Sequence, residues 1–187
     1  WCGAGGWRLG TLIFPKELSQ LCLTIRSLAS ETFTSVSAPI QYAAVKAYTE
    51  NHDEYLKNSR KILNLVANFV YNELKSVGID CIKPQGGFYM LCDFSNVILK
   101  NNAINSARTL CEKILSDTGF AMLPGSNFGI EDEKLITRIA FVDFDGAKAL
   151  DHIYKEKVVR SEDMTIIFPK IVNGINALKK WINSKDL

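Results

Sequence analysis

Residues 135–150 read LITRIAFVDFDGAKAL. From Leu135 to Val142 every position is apolar except Thr137 and Arg138. A short apolar run rich in Ile, Val and Phe predicts a largely buried strand over 137–144. The Ala-rich stretch behind Gly146 predicts a helix from Ala147 to Tyr154. A strand followed by a helix places this region in an α/β or α+β frame. It also sets a problem, because Arg138 lies inside the strand. An unpaired guanidinium in a mostly buried strand costs on the order of several kcal/mol. Asp143 and Asp145 are candidate internal partners, and composition alone leans slightly toward such a pair. The other reading is a bidentate clamp on a substrate carboxylate, which the planar guanidinium fork suits.

Working outward, residues 79–183 predict a compact α+β lobe. Its strands are expected at Asp80–Lys83, Gly87–Phe94 and Phe120–Leu123, with helices at about 103–117 and 169–183. The stretch 155–163, KEKVVRSED, reads as a loop, and no role is assigned to residues 151–168. Ahead of the lobe, Leu56, Leu63, Val66, Val70, Leu74 and Val77 repeat at helical spacing. They predict a long helix over 53–77, with Gly78 as its stop. Further upstream, WRLGTLIF (7–14) reads as an apolar strand and Pro15 opens a helix over 16–30. Residues 31–39, ETFTSVSAP, read as a polar loop, followed by a helix over 40–49. An apolar strand at 7–14 with no strand beside it would leave its backbone groups unpaired, so further partners are expected.

Composition narrows the function classes. The chain has 187 residues, 47% hydrophobic and 22% charged, a globular balance rather than a disordered one. The formal net charge of +2 gives no reason to expect nucleic acid or a membrane surface as a partner. No apolar run reaches the roughly 18–20 residues of a membrane helix, and no signal or transit segment is read at the start. The five cysteines are odd in number and widely spaced, which disfavours a disulfide framework and a zinc site and suits reduced thiols. A cytoplasmic location is the matching expectation. His52 and His152 read as surface residues, and no metal site is expected.

Three further segments could carry chemistry. GAGGWRLG (3–10) joins backbone-exposing glycines to Arg8, a pairing that suits a phosphate dianion, although a flexible turn with an arginine salt bridge explains it equally well. It lacks the last glycine of a dinucleotide fingerprint and the Lys-Ser/Thr of a P-loop. KPQGGFYM (83–90) and MLPGSNFG (122–129) place glycines and aromatic residues at strand ends, where clefts form, though turns with core aromatics are the more common case.

GGWRLG (5–10), SVSAPIQYAAVKAY (35–48), PQGGFYMLCDFS (84–95), AMLPGSNFG (121–129) and LITRIAFVDFDGAKAL (135–150) occur in this order and at these separations. Together they closely resemble the C-terminal part of class I/II, fold-type I, pyridoxal-phosphate (PLP) dependent aminotransferases. The resemblance runs from Trp1 to about Leu150 and resumes in the terminal helix. It implies an α/β fold with three parts: the end of a large PLP-binding domain over 1–52, an interdomain helix over 53–78, and a small α+β domain over 79–187. It implies transfer of an amino group between an amino acid and a 2-oxo acid, with both as substrates, PLP as cofactor and a homodimer as the working unit. Residue by residue, Arg8 matches the arginine that binds the PLP phosphate. Arg138 matches the arginine that grips the substrate α-carboxylate, and Phe88 and Gly87 fall on the substrate side of the cleft. Residues 37–39 fall in the loop that approaches the neighbouring subunit's site.

The resemblance places no catalytic residue in this chain. The Schiff-base lysine is expected immediately before Trp1, so these residues are expected to be a fragment, inactive alone. Lys16, beyond Pro15, is no substitute. The absence of arginine from 31–39 weakens the case for a narrow aspartate preference. Two other readings share most of these features: a PLP-dependent C–S lyase or β-eliminase of the same fold, and a non-catalytic dimerisation or binding module.

Overall fold

The computed structural model describes residues 3–98, 104–156 and 161–184. It divides into two compact units, 1–57 and 58–187. The division falls inside a helix.

The first unit holds helices α1 (Ser19–Thr32) and α2 (Ala38–Thr49) and the first turn of α3 (Asp53–Ser76). Pro39 sits in the first turn of α2, where its missing N–H costs nothing. The expected strand at 7–14 does not form. Residues 5–7 make a 3₁₀ turn, and residues 8–15 have no regular structure. The cause is physical: a strand needs a partner for its N–H and C=O groups, and among the described residues none lies alongside. Ile13 is 95% exposed. Helix α1 buries no residue at all, although Leu18, Leu21, Leu23 and Leu28 decorate it or its approach.

The second unit is the α+β lobe. Its sheet joins β1 (Asp80–Cys81), β2 (Tyr89–Asp93), β3 (Leu123–Pro124) and β4 (Ile136–Ala140) in the order β1-β2-β4-β3, antiparallel throughout. The strands are shorter than expected, and 141–144 leave the sheet. The helices are the remainder of α3, α4 (Ala107–Thr118), α5 (Gly146–Glu156), the short α6 (Met164–Ile167) and α7 (Pro169–Ile182). The expected start of α4 near Ala103 lies outside the described residues, as do 157–160 of the expected loop. Residues 161–167 of that stretch and beyond form a 3₁₀ turn and α6 instead.

Alternation along the strands explains the packing. Met90 and Cys92 of β2 and Thr137 and Ile139 of β4 are buried, whereas Tyr89 and Leu91 are exposed and Arg138 is half-exposed. The buried set joins Val66, Val70 and Leu74 of α3, Leu110 and Ile114 of α4, Ile153 of α5 and Ile175 and Leu178 of α7 in one core. The other face of the sheet therefore keeps Tyr89, Leu91, Leu123 and Arg138.

Local chemistry fixes the helix ends. Gly78 (φ 84°) and Gly119 (φ 74°) take the left-handed conformation that ends α3 and α4. Ser106 and Thr109 form a reciprocal capping box at the start of α4. Helix α7 is tied to α4 by the Trp181 indole N–H, which donates to Asp117 at 2.8 Å, and to α3 by the Lys179–Glu73 ion pair.

Two outcomes follow from this packing. Leu74 is fully buried, so Leu74→Ala is expected to cost about 2–5 kcal/mol in urea unfolding of the lobe. The Trp181 indole, then Lys113, hold the Asp117 carboxyl below the usual carboxylate range. A depressed folded pKa gives stability that is present above the unfolded value, about 3.9, and lost as pH falls through the folded one. Asp117→Asn, which keeps an acceptor for the indole, is expected to flatten the acid side of a plot of melting temperature against pH.

Candidate functional site

Each unit presents one arginine that the sequence singled out. In the second unit Arg138 stands at the middle of β4, opposite Leu91 of β2 and Leu123 of β3. Its guanidinium carbon lies over two rings, 4.1 Å from the Tyr89 centroid and 4.2 Å from the Phe128 centroid. Tyr89 comes from the next strand. Phe128 comes from a tight turn, Gly125–Phe128, that follows β3.

That turn is built to hold its shape. A side chain at Gly125 would meet the Ile136 carbonyl at 2.8 Å. Gly129 closes the turn with φ 82°, and the Ser126 hydroxyl donates to Asp132 at 2.8 Å. Only glycine fits the first position, and a positive φ favours it at the last. Phe128 is thereby delivered over β4.

The internal ion pair weighed from the sequence does not form. Asp143 pairs with Lys170 at 3.1 Å, and the Asp145 carboxylate accepts the Lys148 backbone N–H at 3.0 Å. Among the described residues no carboxylate pairs with Arg138, and its buried Nε has no hydrogen-bond partner. An orphaned charged donor of this kind costs about 1–3 kcal/mol or more. Each ring offsets about 0.5–2 kcal/mol of it by cation–π attraction. The rings attract the charge of the guanidinium, but its N–H donors still call for an acceptor. A planar anion with two oxygens is the group that matches.

Phe88 and Gly87 stand one step back. The Phe88 ring packs on Tyr89, with centroids 4.4 Å apart, and its carbonyl accepts the Phe141 N–H. Gly87 has φ 68° and lines a separate cleft of about 270 Å³ with Arg60, Asn64 and Gln85. Phe88, expected on the substrate side of the cleft, lies next to the ring that covers the arginine, Tyr89. Strand alternation carries that signal: with Met90 inside, Tyr89 points to the face of Arg138. Phe128 had only its position at a strand end to recommend it.

In the first unit Arg8 ends the 3₁₀ turn Gly5–Trp7, and its N–H donates to the Gly5 carbonyl at 3.3 Å. Its backbone is left-handed, φ 57° and ψ 30°. For a residue with a side chain this conformation carries strain on the order of 1 kcal/mol. The side chain is exposed, and among the described residues no carboxylate pairs with it. The loop and α2 enclose a cleft of about 330 Å³ reached by Gly5, Gly10, Thr11 and Tyr48, with Thr11 and Tyr48 hydroxyls 3.1 Å apart. Among the described residues no cluster of His, Cys, Asp or Glu could hold a metal ion, and no helix is long and apolar enough to cross a membrane.

Comparison with known proteins places the chain in a family. Residues 2–148 match the family model for aminotransferase class I and II. A probable N-acetyl-LL-diaminopimelate aminotransferase of Bacillus subtilis is 30% identical over 136 residues, 73% of this chain and 32% of that protein. An aspartate aminotransferase of Geobacillus stearothermophilus is 30% identical over 142 residues, 74% of this chain and 34% of that protein. The chain thus spans about a third of the length of these curated relatives. In fold it is similar to an alanine aminotransferase from Pyrococcus furiosus, with a TM-score of 0.71 and 22% identity over 97% of this chain and 39% of that one. The α/β arrangement is therefore a portion of the fold-type I, PLP-dependent transferase fold, and the chain belongs to the class I and II aminotransferases.

Proposed function

We propose that this chain supplies the C-terminal part of a PLP-dependent aminotransferase that moves an amino group between an amino acid and a 2-oxo acid. The observation that carries the reading is Arg138, set over two aromatic rings and without a carboxylate partner among the described residues. Every amino acid and every 2-oxo acid presents the same planar carboxylate next to its reacting carbon. An arginine whose in-plane donors are open grips that group in both half-reactions and fixes the reacting carbon relative to it.

Arg8 fits the cofactor phosphate. It offers an exposed guanidinium with no carboxylate partner among the described residues, on a loop whose glycines let a ligand approach the backbone. Its left-handed backbone is the kind of strain that functional loops retain. PLP, when bound, supplies the electron sink that lets the α-carbon lose its proton. This chain's residues bind and orient: Arg8 holds the phosphate, and Arg138 holds the carboxylate, with Tyr89 and Phe128 setting its plane. Phe88 supports Tyr89 from behind, and Gly87 leaves room at the approach to β2. In this reading residues 1–52 close the large domain, 53–78 link the domains and 79–187 form the small domain. The Schiff-base lysine belongs to a segment that precedes Trp1 in the working enzyme, a homodimer.

The test uses the longer protein that carries this chain, loaded with PLP. Arg138→Lys is expected to raise KM for amino acid and 2-oxo acid together by about 10- to 100-fold, the loss of one charged two-point contact. An effect on only one of the two substrates, or none, counts against the carboxylate clamp. Release of ammonia and pyruvate without a 2-oxo acid acceptor would support elimination chemistry instead. Arg8→Ala is expected to weaken PLP binding by at least about tenfold, read from the dialysis rate of the cofactor absorbance. The 187 residues alone are expected to transfer no amino group.

A further inference from the structure

Four cysteines among the described residues are free: Cys22, Cys81, Cys92 and Cys111. Two of them face each other. Cys81 on β1 is the register partner of Cys92 on β2, and their sulfurs are 3.5 Å apart. The Ile82 N–H donates to the Leu91 carbonyl at 3.2 Å, which makes residues 82 and 91 a hydrogen-bonded pair. Antiparallel pairs alternate, so 81 and 92 form a non-hydrogen-bonded pair, where Cα atoms lie about 4.5 Å apart and side chains approach closely. That separation falls within the roughly 4.4–6.8 Å that a disulfide spans. The two sulfurs can bond by side-chain rotation, with no strand displaced.

The two thiols differ in access. Cys92 is fully buried beneath the sheet, whereas Cys81 is half-buried on the edge strand. The Cys92 hydrogen bond, helped by the Lys75 ammonium, holds the Cys81 thiol below its ordinary range against the opposing effect of burial. The same hydrogen bond and burial push Cys92 up. The thiol of the half-buried residue is thus the better thiolate, and the buried one lies 3.5 Å from it. Low pKa, access and an adjacent resolving thiol are the attributes of a redox-reactive cysteine. Cys111 lacks them: burial pushes it up to about 11, and no thiol stands beside it among the described residues.

We propose that Cys81 and Cys92 are a thiol–disulfide exchange site for low-molecular-weight disulfides. The Cys81 thiolate attacks one sulfur of the small disulfide, RSSR, forms a Cys81–SR mixed disulfide and expels RS⁻. Cys92, as it loses its proton, attacks the Cys81 sulfur, forms the Cys81–Cys92 disulfide and expels the second RS⁻. Two cysteine thiols are oxidised, one RSSR is reduced to two RSH, and the two cysteine protons pass to the two leaving thiolates. The bond ties the two-residue edge strand β1 to β2, the strand that carries Tyr89. The inference stands apart from the aminotransferase reading.

The test exposes the reduced longer protein that carries this chain to oxidised glutathione near neutral pH, quenches with acid, alkylates the remaining thiols and maps peptides by mass spectrometry. A Cys81–Cys92 cross-linked peptide is expected to dominate, with loss of two hydrogens from the protein. In Cys92→Ser, glutathione should remain on Cys81 at a level at least about tenfold above wild type, because nothing resolves it. Absence of the cross-link in the wild-type chain overturns the proposal whether or not the variant folds. So does the same product selectivity in strong urea, since the site depends on the β1–β2 register.

Discussion

The site depends on one arrangement: the Arg138 guanidinium held against the rings of Tyr89 and Phe128 in the middle of a sheet. A charged group there is costly unless its donors are met. The rings meet its charge and not its N–H donors. The protein keeps a cation in a constrained orientation and leaves its in-plane hydrogen-bonding capacity to something outside the described residues. An internal aspartate would have neutralised it, and those near it in sequence are used elsewhere, Asp143 by Lys170, Asp145 at the start of α5 and Asp132 by Ser126. A structural ion pair would stabilise the lobe; an unpaired, ring-held arginine prepares it to bind.

Everything that orients Arg138 follows from the lobe's packing. The register of β2 on β4 places Tyr89 on its face of the sheet, and the Gly125–Phe128 turn brings the second ring. Both rest on the core below, where α3, α4, α5 and α7 cover the other face of the same strands. The first unit has no such core. Ala44 is its one described hydrophobic residue in the buried set, and its apolar side chains at 12, 13, 21, 23 and 28 are largely exposed. Apolar surface of that extent on a helix and an unpaired segment is surface shaped to be covered.

Much of this was legible in the sequence. The long period of Leu56 to Val77 and the stop at Gly78 gave α3 to within a residue, because a helix face and a glycine cap are local signals. The strand at 7–14 was read from its apolar run, and that run is real. Pairing is not a local property, and without a neighbour the segment stays irregular. Arg138 and Arg8 stood out as cations in unusual settings. The partner of Arg138 was not readable, since Asp143 and Asp145 are near in sequence but commit to other groups in space. Tyr89 and Phe128 were within reach only through alternation and turn geometry, and strand alternation separates Tyr89 from its neighbour Phe88.

The central claim is that Arg138 is a carboxylate receptor and not a structural cation. The direct measurement is the side-chain Nε–H resonance of Arg138, assigned by its loss in Arg138→Lys, during titration of the longer PLP-loaded protein with a 2-oxo acid. The account requires a saturable shift of that resonance, absent when the carboxylate is replaced by a neutral amide of the same skeleton. A resonance that ignores the 2-oxo acid, or that answers acid and amide alike, would contradict it.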